Sequence, residues 1–309
     1  MRALVTGGAG FIGSNVSTEL LKRGASVRIL DNLSSGHESN VPAGADLLHG
    51  DVSQAAVVDD SMRDVDTVFH LAASVGNTRS IDNPLLDAQT NVLGTLQVLE
   101  AARRHAVRKV VISSSAGIYG ASQAVPIRED HPAEPDTPYG ASKLCAEKQG
   151  LAYAKLFDMK VVCLRYFNVY GPNQRFDAYG NVVPIFVFNA LAGRPIAIFG
   201  DGDQTRDFVN VRDVVQANIA AALMAELTGA FNIASGSRVT INRLAEMVGH
   251  YVRGAAGVQH APPRPGDVRD SLADISAARH RFGYEPAVTL DEGLQEYIAW
   301  ARTEAAVPA

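Results

Sequence analysis

The chain has 309 residues, 47% of them hydrophobic and 20% charged, with a formal net charge of -5. That length supports one large globular unit with a second lobe and excludes a small stapled scaffold. The acidic balance and the lack of any long run of Lys and Arg speak against nucleic acid as a partner. No segment reaches the roughly 18 apolar residues of a membrane span, and the apolar run before the first glycines is too short for a secretory core, so a cytoplasmic protein is expected.

In chain order, RALVT reads as a strand, and a helix follows from about Gly10 to Arg23, closed by Gly24. In it Ile12, Val16 and Leu20 recur at helical spacing to make one buried face, and Lys22 and Arg23 favour the negative end of the dipole. SVRILD, DLLHGD, TVFHLA, KVVISSS and KVVCLRYFN read as further strands, with helices from Leu86 to His105 and from Tyr139 to Phe157. Strands alternating with helices predict right-handed βαβ units around a parallel sheet. After Gly171 and Pro172 the pattern changes to VVPIFVFNALAG as a helix, PIAIFG as a strand and a helix in VTINRLAEMVGHYVRG. DFVNVRDVVQANIAAALM and AFNIAS look like elements that return to the first unit. The expected fold is therefore α/β, a Rossmann-type doubly wound parallel sheet with a smaller α/β C-terminal lobe. Its first domain spans 1–171 and is completed by parts of 206–235, and its second lobe lies mainly in 172–309. Cys145 and Cys163 sit within apolar patterns and read as reduced thiols.

VTGGAGFIGSN sets Gly7, Gly10 and Gly13 between the first strand and the first helix, with Gly8 forming a second pattern. Glycines there permit a tight turn, close approach of backbone to a pyrophosphate and close helix packing, while the helix N-terminus supplies free N–H donors. Asp31 closes the second strand, where a carboxylate accepts from adenosine ribose hydroxyls and repels a 2′-phosphate. No Lys or Arg follows in NLSSGHESN, so NAD is the expected cofactor rather than NADP. Asp51 and Val52 are candidates for the adenine edge.

Tyr139 and Lys143 in YGASK share a helix face, with Pro138 suited to the first turn. That spacing alone carries little. Its value comes from SSSAGIYG one βα step earlier, because ligands of open α/β sheets sit at strand C-terminal ends. An adjacent ammonium favours phenolate, and bringing a tyrosine down by about 3 pH units would represent roughly 4 kcal/mol of electrostatic assistance. Ser115 would orient the hydroxyl that Tyr139 deprotonates.

VTGGAGFIGSN, DNLSSG, HLAA, NVLGT, SSSAGIYG, YGASK, RYFNVYGP and RPGDVRDSLAD, in this order, resemble the extended short-chain dehydrogenases/reductases of the NAD-dependent epimerase/dehydratase type, and among them the UDP-hexose 4-epimerases. The resemblance covers nearly the whole chain. It implies Ser115, Tyr139 and Lys143 as the catalytic set, and a dinucleotide site made by Gly7, Gly10, Phe11, Ile12, Gly13, Asp31, Asn32, Asp51, Val52, Leu71, Ala72, Ala73, Asn91, Ser113, Tyr139, Lys143 and Tyr166. It implies a UDP-sugar site of Ser115, Tyr139, Asn168, Val183, Ala197, Phe199, Arg206, Arg264, Asp267 and Ser271. The implied reaction passes through a 4-keto sugar, with NAD regenerated each cycle, in a homodimer paired through the helices at 86–105 and 139–157.

Relatives that eliminate water or decarboxylate carry acids after the serine, where this chain has Ala116 and Gly117, so the resemblance favours 4-epimerisation. Small Ser271 leaves room for a 2-acetamido group, which admits UDP-GlcNAc and UDP-GalNAc beside UDP-glucose and UDP-galactose. Arg79 keeps UDP-glucuronate 4-epimerisation open, unless it pairs with Asp82 or solvent. A dehydratase or reductase of the same fold and a non-catalytic NAD-binding module are the remaining alternatives. The histidines show no ligand spacing, His70 reads as a packed strand-end residue, and no metal site is expected.

Overall fold

Strand β1 (Arg2–Thr6), helix α1 (Phe11–Lys22), β2 (Ser26–Asp31), β3 (Asp46–His49), α2 (Ala55–Ser61) and β4 (Thr67–His70) open the chain as alternating units. The structure is a computed structural model that describes residues 1–121, 124–177, 180–253, 256–263 and 268–305. After β4 come two short helices, α3 (Asn77–Asp82) and α4 (Pro84–Ala88), then a π-helical turn (Gln89–Leu93) that runs into α5 (Gly94–Arg104). The sequence pattern predicts one helix here; the π turn instead divides it around Asn91. Strand β5 (Lys109–Ser115), helix α6 (Pro138–Leu156), β6 (Lys160–Tyr166) and β7 (Asn168–Tyr170) follow. Thr137 caps α6 by accepting from the Gly140 N–H, and Pro138 occupies the first turn, where its missing N–H costs nothing.

Helix α7 (Val182–Leu191), β8 (Ile196–Phe199), β9 (Thr205–Arg206) and β10 (Phe208–Asn210) come next. Helix α8 (Val211–Leu223) and β11 (Gly229–Ile233) return to the first unit, and β12 (Val239–Thr240), α9 (Ile241–Tyr251), β13 (Val258–Ala261), α10 (Ser276–Phe282) and α11 (Leu290–Ala305) complete the chain.

The main sheet has seven strands in the order β11-β6-β5-β4-β1-β2-β3, with every neighbouring pair parallel. The chain runs outward from β1 to β3 and then crosses back to β4, so β1 and β4 flank the switch point where a crevice opens beyond the strand ends. Alternation along each strand divides the core in two. Val5, Val111 and Leu164 pack on one face with Val16 and Leu20 of α1 and Val214 of α8, whereas Leu4, Val110, Ile112 and Val161 pack on the other with Met62, Val98 and Leu99. A third apolar cluster, including Phe186, Leu244 and Tyr297, holds α7, α9 and α11 together.

One buried ion pair fixes α6 to this sheet. Glu147 (0% exposed) accepts from Arg165 Nη2 at 2.7 Å, from Arg165 Nε at 2.9 Å and from Ser114 Oγ at 2.7 Å. Arg165 Nη1 also donates to Tyr119 Oη (2.7 Å) and to the Glu129 carbonyl (2.8 Å), and Tyr119 Oη donates to Asn232 Oδ1 at 2.7 Å. Removing one member of a pair this deep leaves an uncompensated charge. Glu147→Ala should therefore lose about 3–5 kcal/mol in urea unfolding, while Glu147→Leu combined with Arg165→Met should recover much of the loss.

Candidate active site

The first loop of the crevice is the glycine turn after β1. Gly7 has φ +70, and a Cβ there would lie 2.7 Å from the Ala72 amide nitrogen, so a side chain at this position would wedge the β1 and β4 ends apart. A Cβ on Gly13 would fall 2.1 Å from the Gly7 carbonyl oxygen, which explains how α1 starts so close to the turn. The α1 N-terminus has neither a side-chain cap nor an acid in its first turn, an arrangement that suits an anion. Phe11 and Ile12, in that turn, are half-buried against the core.

Asp31 is buried at 7% exposure, with Oδ2 accepting from the Ala9 N–H (2.9 Å) and Oδ1 from the Leu33 N–H (2.8 Å). Both oxygens are thus fixed in direction, with lone pairs left for a further donor. Beside it Asn32 Nδ2 donates to Asp51 Oδ2 at 2.6 Å, and Asp51 Oδ1 accepts from the Ser53 N–H at 2.8 Å. Val52 is turned into the core (5% exposed) against Gly94. Amides for a pyrophosphate and a preset carboxylate for ribose hydroxyls form a donor and acceptor set that fits NAD.

Leu71, Ala72 and Ala73 follow β4 at the far side of the switch point. Directly beneath, a chain of hydrogen bonds fixes the His70 tautomer. Thr95 Oγ1 donates to the Asn91 carbonyl at 2.6 Å, so it accepts from His70 Nε2–H (2.9 Å), and His70 Nδ1 accepts from Thr6 Oγ1 (2.8 Å). Burial, with the Lys143 charge adding to it, pushes His70 down to about 3, so it stays neutral. His70 is therefore a side-chain clamp between the β1 end and the start of α5, and Thr95 carries the link on to the π turn. Asn91 is buried there, its Oδ1 accepting from the Ser74 N–H (2.8 Å) and its Nδ2 facing Asp87 Oδ1 and Ser142 Oγ, each at 3.0 Å.

Tyr139 and Lys143 lie on the first turns of α6, over the end of β5. The Tyr139 N–H donates to Ser80 Oγ at 3.0 Å, so α3 pins the backbone at this point. Lys143 is 4% exposed, and Nζ donates to Ser113 Oγ at 3.0 Å. Burial brings Lys143 down to about 8, opposed first by Asp87 and then by Cys163. Burial raises the Tyr139 phenol above its ordinary value, a hydrogen bond with Ser115 lowers it, and Asp87 raises it further. The expected lowering of Tyr139 by Lys143 is thus not produced by the chain's own charges, because burial opposes the phenolate and Asp87 adds a negative field. Ser115 Oγ also accepts from the Gly117 N–H at 3.1 Å, and a Cβ on Gly117 would come 3.7 Å from the Tyr139 ring. Tyr166, beside β5, donates its hydroxyl to Asn218 Oδ1 at 3.0 Å.

The second-lobe candidates are more dispersed. Asn168 Nδ2 donates to the Asp207 carbonyl at 3.2 Å, and half-buried Arg206 donates to the Thr205 carbonyl at 2.8 Å. Ala197 and Phe199 lie on β8, and Val183 (1% exposed) is buried in the α7 cluster. Ser271 is 8% exposed on a segment whose neighbours bond both lobes: the Arg269 carbonyl accepts from the Thr205 N–H and the Leu272 carbonyl from the Ile127 N–H. Arg264 and Asp267 fall outside the described residues. Arg79 pairs with Asp177 at 2.6 Å rather than with Asp82. Sequence reasoning missed Asp87, Ser80, Glu147 and Arg165, all close to the YGASK and SSSAGIYG segments; a buried acid one helical turn before Asn91 is the signal that could have found Asp87.

Comparison with known proteins fits this geometry. The model of the NAD dependent epimerase/dehydratase family matches residues 3–262. The UDP-glucose 4-epimerase of Mycolicibacterium smegmatis is 39% identical over 311 residues, covering 98% of this chain and 99% of that protein. The structure of a UDP-glucose 4-epimerase from Thermotoga maritima with UDP-glucose superposes with a TM-score of 0.94 at 37% identity, covering 99% of this chain and 100% of the other. A Thermus thermophilus UDP-glucose 4-epimerase in complex with NAD superposes with a TM-score of 0.91 at 38% identity, with coverage of 99% and 100%. With its glycine turn, its Asp31 and its Ser, Tyr and Lys at the strand ends, the chain belongs to the NAD-dependent epimerase/dehydratase family.

Proposed function

We propose that this protein is an NAD-dependent UDP-sugar 4-epimerase that interconverts UDP-glucose and UDP-galactose. The observation that carries the reading is Ser115, Tyr139 and Lys143 gathered at the ends of β5 and α6, beside the switch-point crevice. When bound, NAD supplies a hydride acceptor for the sugar C4 and a positive ring that favours phenolate. Tyr139 Oη takes the proton from the sugar O4, and it returns the same proton once the ketone has been reduced on its other face. Ser115 Oγ orients that hydroxyl, and buried Lys143 Nζ, held by Ser113, keeps a positive charge in the site. Ala116 and Gly117 offer no acid in the loop after Ser115, which disfavours chemistry at C5 or C6.

Asp31 and the α1 amides hold the dinucleotide in this reading, and Arg206 and Arg264 take the UDP diphosphate. Small, buried Ser271 favours a second substrate pair, UDP-GlcNAc and UDP-GalNAc. The Arg79–Asp177 pair disfavours a uronate, because the guanidinium already faces a carboxylate. No helix among the described residues is long and apolar enough to cross a membrane, and the reading carries the expected cytoplasmic location. Leu85 (82% exposed), Leu93 (54%) and Leu156 (72%) leave apolar surface on α4, the π turn and α6, which favours a homodimer through these elements.

Purified protein should release NAD on denaturation and convert UDP-glucose to UDP-galactose without net redox change, as read by separation of the C4 epimers. Protein that arrives free of cofactor and consumes NADPH stoichiometrically would instead be a reductase. Tyr139→Phe should lower kcat by about 10²–10⁴-fold with little change in KM. Since Lys143 must stay charged and burial brings it to about 8, the alkaline limb of the rate profile should fall through that region. Leu85→Asp combined with Leu93→Asp should halve the mass measured by light scattering.

A further inference from the structure

Asp87 is a buried carboxylate (1% exposed) for which the mechanism above has no role. It lies at the end of α4, four residues before Asn91, and the π turn brings the two side chains together at 3.0 Å. Asn91 Nδ2 also reaches Ser142 Oγ at 3.0 Å, and Ser142 Oγ donates to the Tyr139 carbonyl at 3.0 Å. Asp87 is thus tied through Asn91 and Ser142 to the Tyr139 carbonyl in the first turn of α6, and Ser142 is the residue just before Lys143.

A carboxylate this deep needs compensation. Asn91 Nδ2 donates to it at 3.0 Å, and the nearby Ser142 hydroxyl and the field of Lys143 both oppose the upward push of burial. The coupling runs both ways: Asp87 is the strongest of the charges that keep Lys143 protonated against burial, and it is the charge that raises Tyr139. The other titratable groups around the cluster contribute differently. His70 of β4 is neutral, Cys163 of β6 is a buried thiol pushed up by burial, and on α3 Asp82 is exposed while Arg79 engages Asp177.

We propose that Asp87 is the buried counter-charge of the Tyr139 and Lys143 pair, a positioning residue that sets the pH window in which the site works. Its negative charge keeps the Lys143 ammonium in place at neutral pH, and it holds the Tyr139 phenol basic enough to recover the sugar O4 proton. The two groups titrate as a set, so losing the charge moves both limbs of the rate profile in the same direction. The inference rests on the 4-epimerase reading for its turnover measurement and on the geometry of α4 and α6 for the rest.

The test compares the NAD-loaded wild type with Asp87→Asn, Asp87→Ser and Asp87→Glu. For UDP-glucose turnover, both limbs of the pH profile should move to lower pH by about one pH unit in the two neutral variants. Asp87→Glu, which keeps the charge but alters the fit, should hold the limbs where the wild type has them even if kcat drops. A second readout needs no turnover: tyrosinate absorbance of the holoprotein, taken as the difference from the same background carrying Tyr139→Phe. Its midpoint should fall in the neutral variants and stay in Asp87→Glu. Unmoved limbs and an unmoved midpoint in both neutral variants, with only a uniform loss of rate, would overturn the proposal and leave Asp87 a structural group. If the wild type turned over no UDP-sugar, the functional reading would fail, while the absorbance titration would still decide the role of Asp87.

Discussion

The Glu147–Arg165 pair is the constraint on which the rest of the site depends. Two hydrogen bonds lock the guanidinium to the carboxylate inside the protein, and Ser114 of β5 joins from between Ser113 and Ser115. Glu147 stands one helical turn beyond Lys143 on the same helix, so the pair fixes the rotation and height of α6 against β5 and β6. That register sets where Tyr139 and Lys143 stand against β5. The same guanidinium reaches Tyr119 and the Glu129 carbonyl, and through Asn232 the network extends to the Ile127 and Asp274 carbonyls. The loop after Ser115 and the segment carrying Ser271 are therefore tied to the same point as the catalytic helix.

Within that frame the electrostatics are opposed rather than uniformly helpful. Burial works against the charged forms of both Tyr139 and Lys143, and the chain answers with a few directed groups: Ser115 on the phenol, Ser113 on the ammonium, and Asp87 in the field of both. This arrangement suits a site that takes a proton from its substrate and gives the same proton back, since neither form of the base can be strongly preferred.

Much of this was legible in the sequence because it rests on local rules. The βαβ alternation, the glycine turn, the strand-end Asp31 and the Pro138 start of α6 are each set by nearby residues, and the structure has them in place. What was not legible depends on distant partners. The helix expected from Leu86 to His105 is broken by a π turn, because apolar spacing along a helix does not distinguish a single π turn within it. Asp87 reads as an ordinary surface acid until α6 is packed on it. The sequence left Arg79 open between a uronate in the site, Asp82 and solvent, and its carboxylate comes from Asp177, 98 positions further along the chain. The direction of the Tyr139 shift depends on burial and on Asp87, and neither can be read from the YGASK spacing.

The account turns on the C4 hydrogen leaving and returning as hydride while Tyr139 handles only the O4 proton. Incubating the purified protein with UDP-glucose deuterated at C4, in ordinary water, tests this directly. The account predicts UDP-galactose with the deuterium retained at C4. Loss of the label to solvent would contradict it, because the hydrogen would then have moved as a proton on a base other than Tyr139.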